Sequence, residues 1–256
     1  MTESNISLRT PEKVSVIGVP VSAVSLETAL DFTYVMYDML RGAYVCAANV
    51  HTTVMAYEDA AYKAVQSGAV VNLPDGKPLA VVGGRKTAFP MKKTTGTHYM
   101  QGIFADDRFA GKHHYFYGTR KEDLERMIPK VQKDYPDLQI CGWEPSVFRE
   151  LSEDEINQLA DRINAAKADF LWVALGAPRQ ENLMFRLRGK VNCLMTGVGG
   201  AFHILSGAIP DAPEWMQNAG LEWLFRLCKE PKRLFKRYFI TNTKFLLLLL
   251  RESCHV

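Results

Sequence analysis

Short apolar runs alternate with longer amphipathic stretches along most of this chain. Runs that read as strands are 14–18 (VSVIG), 44–48 (YVCAA), 69–73 (AVVNL), 113–117 (HHYFY), 138–142, 169–175 (DFLWVAL) and 191–196 (VNCLMT). FLWVAL shows no polar alternation, which fits a strand covered on both faces. Between the runs the spacing turns helical. Leu26, Ala29, Leu30, Thr33 and Tyr34 suit one helix face, and TRKEDLERMIPKVQKDY and SEDEINQLADRINAAK read as exposed amphipathic helices. Ser152 followed by Glu155 is a capping box, in which each side chain satisfies a backbone N–H of the helix start. Strand–helix alternation predicts an α/β fold with a largely parallel sheet flanked by helices. After about residue 210 the rhythm stops and the chain becomes aromatic and basic. The expected organisation is an α/β core over 1–210 and a C-terminal helical appendage over 211–256.

In open α/β sheets ligands bind outside the carboxyl ends of the strands. The residues following each predicted strand therefore define a rim. They are Asn49-Val50-His51-Thr52, Pro74-Asp75-Gly76, Gly118-Thr119, Gly176-Ala177-Pro178-Arg179-Gln180-Glu181 and Gly197-Val198-Gly199-Gly200. Asp75 has two readings. Asp-Gly is a common turn; a carboxylate at a strand end is also suited to take a proton from an attacking hydroxyl. Arg179 and Gln180 begin a helix, and are also suited to an anion and to sugar hydroxyls. Gly197, Gly199 and Gly200 make a tight turn or bring backbone N–H groups to a phosphate. No G-x-G-x-x-G follows an early strand, which counts against a dehydrogenase or other dinucleotide-binding module.

Charge and composition narrow the classes. A net charge of +3 is too small to imply nucleic acid. The five cysteines have no metal-type or paired spacing, which favours a reducing, cytoplasmic compartment. His113 and His114 point to opposite faces of a strand and are not co-ligands. Asp106-Asp107 reads as a solvated helix end, so no metal site is expected. MTESNISLRTPEK lacks the apolar core of a secretion signal. The longest pure apolar run, 245–250, is far short of a membrane span. The segment GLEWLFRLCKEPKRLFKRYFITNTKFLLLLLRE instead interleaves Arg226, Arg233, Lys236 and Arg237 with Trp223, Leu227, Phe235 and Phe239. It reads as a docked terminal helix, or as an interfacial helix on anionic lipid whose arginines also grip a diphosphate. Its apolar share leaves packing on itself, on a second copy or on lipid open. An interfacial tail predicts that a chain ending near residue 210 is more soluble.

NLPDGKPL, GTHYM, YGTRKEDLE, WVALGAPRQE, GVGGAFHILSGAIPDAPEW and GLEWLFRLCKEPKRLFKRY together resemble the WecG/TagA/CpsF glycosyltransferases, glycosyltransferase family 26. The resemblance runs from about residue 14 to 245. It implies an inverting transferase with a Rossmann-like core that moves a sugar, N-acetylmannosamine or another UDP-linked sugar, from UDP to a lipid-linked acceptor. That acceptor is typically undecaprenyl-diphosphate-N-acetylglucosamine, in teichoic acid, common antigen or capsule synthesis at the inner membrane face. The resemblance places the catalytic aspartate on Asp75 and a donor-sugar glutamine on Gln180. It places diphosphate- and membrane-binding cations on Arg226, Arg233, Lys236 and Arg237, and it requires no clear metal or other cofactor. Asn49, Thr52, Gly118, Thr119, Arg179, Gly197, Gly199 and Gly200 complete the expected rim. Ala47 stands where threonine is frequent, His98 and His203 where aspartate is common, and Asp211 where arginine is usual. These departures leave the particular sugar open more than the reaction type.

Overall fold

A computed structural model describes residues 10–253, with the side chains of Glu214, Asn218, Arg233 and Ser253 outside the description. The chain opens with β1 (Lys13–Val16) and β2 (Val19–Ser22), then α1 (Leu26–Met36), β3 (Tyr44–Ala48), α2 (Val50–Glu58), α3 (Ala60–Gly68), β4 (Val71–Pro74), α4 (Lys77–Gly84) and α5 (Gly96–Ala105). It continues through β5 (His113–Gly118), α6 (Lys121–Asp134), β6 (Gln139–Glu144), α7 (Glu153–Ala165), β7 (Phe170–Ala174), α8 (Arg179–Leu187), β8 (Leu194–Gly197) and α9 (Ala201–Leu205). It closes with α10 (Glu214–Ala219), α11 (Glu222–Lys229) and α12 (Pro231–Ser253).

Six strands form one parallel sheet in the order β4-β3-β8-β7-β5-β6, the expected α/β architecture. Phe170 to Val173 of β7 are 0% exposed, because both faces are covered. Met100 and Ile103 of α5, Leu124 and Met127 of α6 and Phe202 of α9 pack on the face that carries Phe170 and Trp172. Ile156 and Leu159 of α7 and Leu183 and Met184 of α8 pack on the face that carries Leu171 and Val173. Buried apolar area on this scale is the main source of stability. The capping box at Ser152 forms as expected, with Ser152 Oγ accepting from the Glu155 N–H at 3.2 Å and Glu155 Oε2 from the Ser152 N–H at 2.8 Å.

The first predicted strand does not join this sheet. Residues 13–16 pair antiparallel with 19–22 in a separate hairpin. The reason lies at Ile17 and Gly18, whose φ values of 45° and 75° make the two-residue turn whose twist matches antiparallel strands. A β-branched residue there is unusual. Ile17 is 3% exposed and joins Val14, Val16, Val21, Ala48, Val54, Leu79 and Phe245 in a small apolar cluster. Phe245 comes from α12, so the terminal helix is docked on the hairpin. That differs from a freely detachable tail, because removing residues beyond 210 would uncover this cluster.

Gly118 ends β5 with φ 132°, and a Cβ there would lie 2.4 Å from the Ala174 carbonyl oxygen of β7. The glycine is required by strand packing. Gly118→Ala should destabilise the fold by about 3 kcal/mol, through a backbone clash added to an unfavourable φ. Chemical denaturation measures it directly.

Candidate active site

All six strands of the main sheet run parallel, so their carboxyl ends share one edge. β7 exits into α8 on one face, while its neighbour β8 exits into α9 on the other. Divergent exits open a crevice between adjacent strand ends.

Asp75 lies between β4 and α4. Its N–H donates to the Ala48 and Leu73 carbonyls, each at 2.8 Å, and the Thr94 N–H donates to the Pro74 carbonyl at 3.0 Å. The backbone is thus pinned to the end of β3. The side chain is not used in the turn. An Asx turn would take an N–H two residues on, but no hydrogen bond or ion pair holds the Asp75 carboxylate among the described residues, and Gly76 begins α4 without a side-chain cap. The half-buried carboxyl keeps free lone pairs. Burial pushes its pKa above the ordinary aspartate range; Arg226 pulls it down, Glu222 pushes it up, and Lys93 and His98 pull it down. Four charged or titratable groups therefore face Asp75, from α11, from the 85–95 loop and from α5.

Lys93 and Glu222 were not among the sequence candidates. Lys93 Nζ lies 2.6 Å from Glu222 Oε1 and donates to the Gln217 carbonyl at 3.1 Å. Lys77 Nζ donates to the Ala219 carbonyl at 3.1 Å. These contacts hold α10 and α11 over the Asp75 end of the rim. Arg226 is exposed on α11 and makes no ion pair among the described residues.

The other candidates divide by what their side chains already do. Asn49 Oδ1 accepts from the Thr52 N–H at 3.1 Å, and Thr52 Oγ1 from the Asn49 N–H at 2.9 Å. Thr52 is 1% exposed and its hydroxyl also donates to the Asn49 carbonyl at 3.1 Å, so its polar capacity is spent on the start of α2. Asn49 keeps its Nδ2. Thr119 is buried and its Oγ1 donates to Asp123 Oδ2 at 3.2 Å. Arg179 is exposed and lines a cavity with Tyr117, Phe148 and Arg186 beside α8. Gln180 is 4% exposed, with its amide turned inward. Gly197 faces that amide, Gly199 has φ 54°, and a Cβ at Gly200 would meet nothing within 4 Å. Lys236 is exposed, Arg237 is half-buried, and the Arg233 side chain lies outside the described residues. Burial, then the nearby Arg237 charge, lowers the His51 pKa; His51 Nδ1 and Arg237 Nε are both buried without a partner. Among the described residues no group of three or more His, Cys, Asp or Glu could hold a metal ion.

The arrangement predicts a pH profile. A base must be ionised to accept a proton, so the acid limb of kcat/KM should lie above the ordinary aspartate range. Lys93→Met removes a nearby cation and should move that limb to higher pH, whereas Glu222→Gln removes a nearby anion and should move it to lower pH. Initial rates across pH under kcat/KM conditions measure both.

The parallel α/β core, polar strand-end rim and basic helical cover fit the glycosyl transferases of the WecG/TagA/CpsF family, and the chain belongs to that family, whose model it matches over residues 14–255. Two relatives carry the name N-acetylglucosaminyldiphosphoundecaprenol N-acetyl-beta-D-mannosaminyltransferase. The one from Bacillus spizizenii is 29% identical over 82% of this chain and 79% of its own length. The one from Bacillus subtilis is 26% identical over 92% of this chain and 90% of its own length.

Proposed function

We propose that this enzyme transfers N-acetylmannosamine from UDP to the N-acetylglucosamine of an undecaprenyl-diphosphate acceptor, with inversion. The observation that carries the reading is Asp75: an unspent, half-buried carboxylate at a strand end, beneath the cations Arg226 and Lys93. The names of the two relatives supply the sugar and the acceptor. Asp75 takes the proton of the acceptor hydroxyl as that oxygen bonds to the anomeric carbon. The bond from that carbon to the diphosphate oxygen breaks, and its electron pair leaves with UDP. Cationic groups and backbone N–H donors aimed at the departing diphosphate lower the barrier. We assign this role to Arg226, Lys93 and the Gly199-Gly200 turn. No protein acid is required, because UDP is a good leaving group.

We assign residues 1–210 to the catalytic core and 211–256 to an appendage that covers it. One side of α12 leaves Phe235, Phe239, Leu246, Leu247 and Leu250 exposed, beside Lys236 and Arg251. No helix among the described residues is long and apolar enough to cross a membrane. An apolar strip edged by cations suits the surface of an anionic bilayer, where the lipid acceptor resides. In this reading the enzyme works at the inner face of the cell membrane.

The test is UDP release with a lipid-linked N-acetylglucosamine acceptor and a panel of UDP-sugars. Release that needs both substrates and prefers UDP-N-acetylmannosamine supports the reading. Preference for glucose or a uronic acid sugar would change the donor and keep the reaction. UDP binding without release with any donor would leave a nucleotide-binding module.

A further inference from the structure

Helix α2 of the core lies against α12, and polar groups meet at two places along this contact. Lys244 of α12 pairs with Glu58 at the end of α2. About two turns back along each helix stand Arg237 and His51. There the pairing is open: His51 Nδ1 and Arg237 Nε are both buried, and neither has a hydrogen-bond partner. Arg237 is the charge that acts on His51, so the two side chains are neighbours. A buried N–H without an acceptor is costly, and two orphaned atoms at one contact need a reason.

Their chemistry is complementary. Burial, then the Arg237 charge, lowers the His51 pKa, which keeps the imidazole neutral at neutral pH. A neutral imidazole carries one N–H and one lone pair, so with its proton on Nε2 the buried Nδ1 is an acceptor. Nε is the inner donor of the guanidinium. The two Nη atoms are not enclosed, and the guanidinium makes no hydrogen bond or ion pair among the described residues. Its central carbon lies 5.4 Å from the centre of the Tyr238 ring. Thr241 Oγ1 donates to the Arg237 carbonyl at 2.8 Å, which fixes the backbone and leaves the side chain to be held from elsewhere. A planar fork suits phosphate oxygens only when its plane is set. The place suits such a fork. His51 follows Asn49 at the carboxyl end of β3, and the Asp75 N–H donates to the Ala48 carbonyl of that strand at 2.8 Å. An acceptor sugar whose hydroxyl meets Asp75 carries its diphosphate one ring away.

We propose that His51 is a positioning residue: with a diphosphate in the Arg237 fork, His51 Nδ1 accepts the Arg237 Nε–H and sets the plane of the guanidinium, without itself touching substrate. Hydrogen bonds at such sites tighten when the substrate is bound. The histidine belongs to the core and the arginine to the C-terminal helix, so the pair also ties the grip on the acceptor to the docking of α12. The consequence for the acceptor rests on the reading that it carries a diphosphate.

The experiment compares His51→Phe, which keeps a ring and loses the acceptor atom, with His51→Asn, whose amide oxygen falls near the place of Nδ1. Arg237→Ala and the double variant complete a cycle. With the lipid-linked N-acetylglucosamine acceptor and saturating UDP-N-acetylmannosamine, His51→Phe should raise the acceptor KM about tenfold, the scale of one hydrogen bond to a charged group. Its kcat and its affinity for UDP should stay near wild type. His51→Asn should recover most of the loss, and His51→Phe should add nothing to Arg237→Ala. Nitrogen NMR of the Arg237 Nε–H, with inorganic pyrophosphate as the probe, gives a readout without turnover. That proton should be protected from exchange in the wild type and in His51→Asn, and unprotected in His51→Phe. A KM rise that persists in the Arg237→Ala background would overturn the proposal in favour of direct contact between His51 and substrate. Wild-type KM and wild-type protection in His51→Phe would overturn it as well. Should His51→Phe fail to fold, His51→Ala takes its place. Absence of turnover with any acceptor would sink the lipid-acceptor reading; the Nε–H signal would still test the pair, and an unprotected proton in the wild type would refute it.

Discussion

Asp75→Asn should cost about a thousandfold in turnover, the usual scale for removing a general base. The amide is nearly isosteric and cannot take the acceptor proton. The fold should survive, because the Asp75 backbone is held by the Ala48 and Leu73 carbonyls and its carboxylate makes no bond that the variant would lose. Folding stability should hold or rise at neutral pH, since a carboxyl whose pKa burial has raised is costly to keep ionised. UDP affinity should stay near wild type, because a base acts on the acceptor. Kinetics with saturating acceptor, together with calorimetry on UDP, separate these effects. Near-normal turnover would remove Asp75 from the chemistry.

Arg226→Ala should be the next most damaging change, at about a hundredfold in kcat. Arg226 is first among the charges that oppose the burial of Asp75. In the proposed mechanism its removal acts twice: the acid limb of the pH profile should move up, and the departing diphosphate should lose a donor. The two parts can be told apart. At pH well above the limb Asp75 is ionised in both proteins, and the remaining deficit belongs to the leaving group. Arg226→Lys should restore the pH limb more fully than the rate, because an ammonium supplies charge without the planar fork that grips phosphate oxygens. A variant with full rate at high pH would leave Arg226 an electrostatic partner of Asp75 only.

Much of this was legible from short-range pattern. FLWVAL predicts a doubly covered strand because both faces of β7 are buried. The rim is legible because parallel strands put all their carboxyl ends on one edge, so reading the residue after each strand is enough. What failed depends on the third dimension or on one backbone angle. The hairpin turns on Ile17 and Gly18 at positive φ, and isoleucine gives no warning of that. Lys93 lies in an irregular stretch and finds Glu222 across 129 residues of chain, a partnership no periodicity encodes. Thr52 reads as a rim residue in sequence, and only the structure shows its hydroxyl engaged in the cap of α2. Gln180 shows polarity in the sequence but not the direction in which its amide points.

The docking of α12 carries a mechanical consequence. The helix has 23 residues, about 34 Å at 1.5 Å per residue, and Phe245 is locked at 3% exposure in the hairpin cluster. Phe235 and Phe239, exposed at 64% and 67%, lie toward the other end, next to the chain that continues back into α11 and Arg226. Leu234, 1% exposed, is buried at that same end, so α12 is held along its length and not at Phe245 alone. Glu230, at φ −133°, breaks the helix between α11 and α12. A helix seated on a bilayer, as proposed above, would therefore fix the point from which the chain runs back to Arg226, and with it the place of that cation over the Asp75 end of the rim.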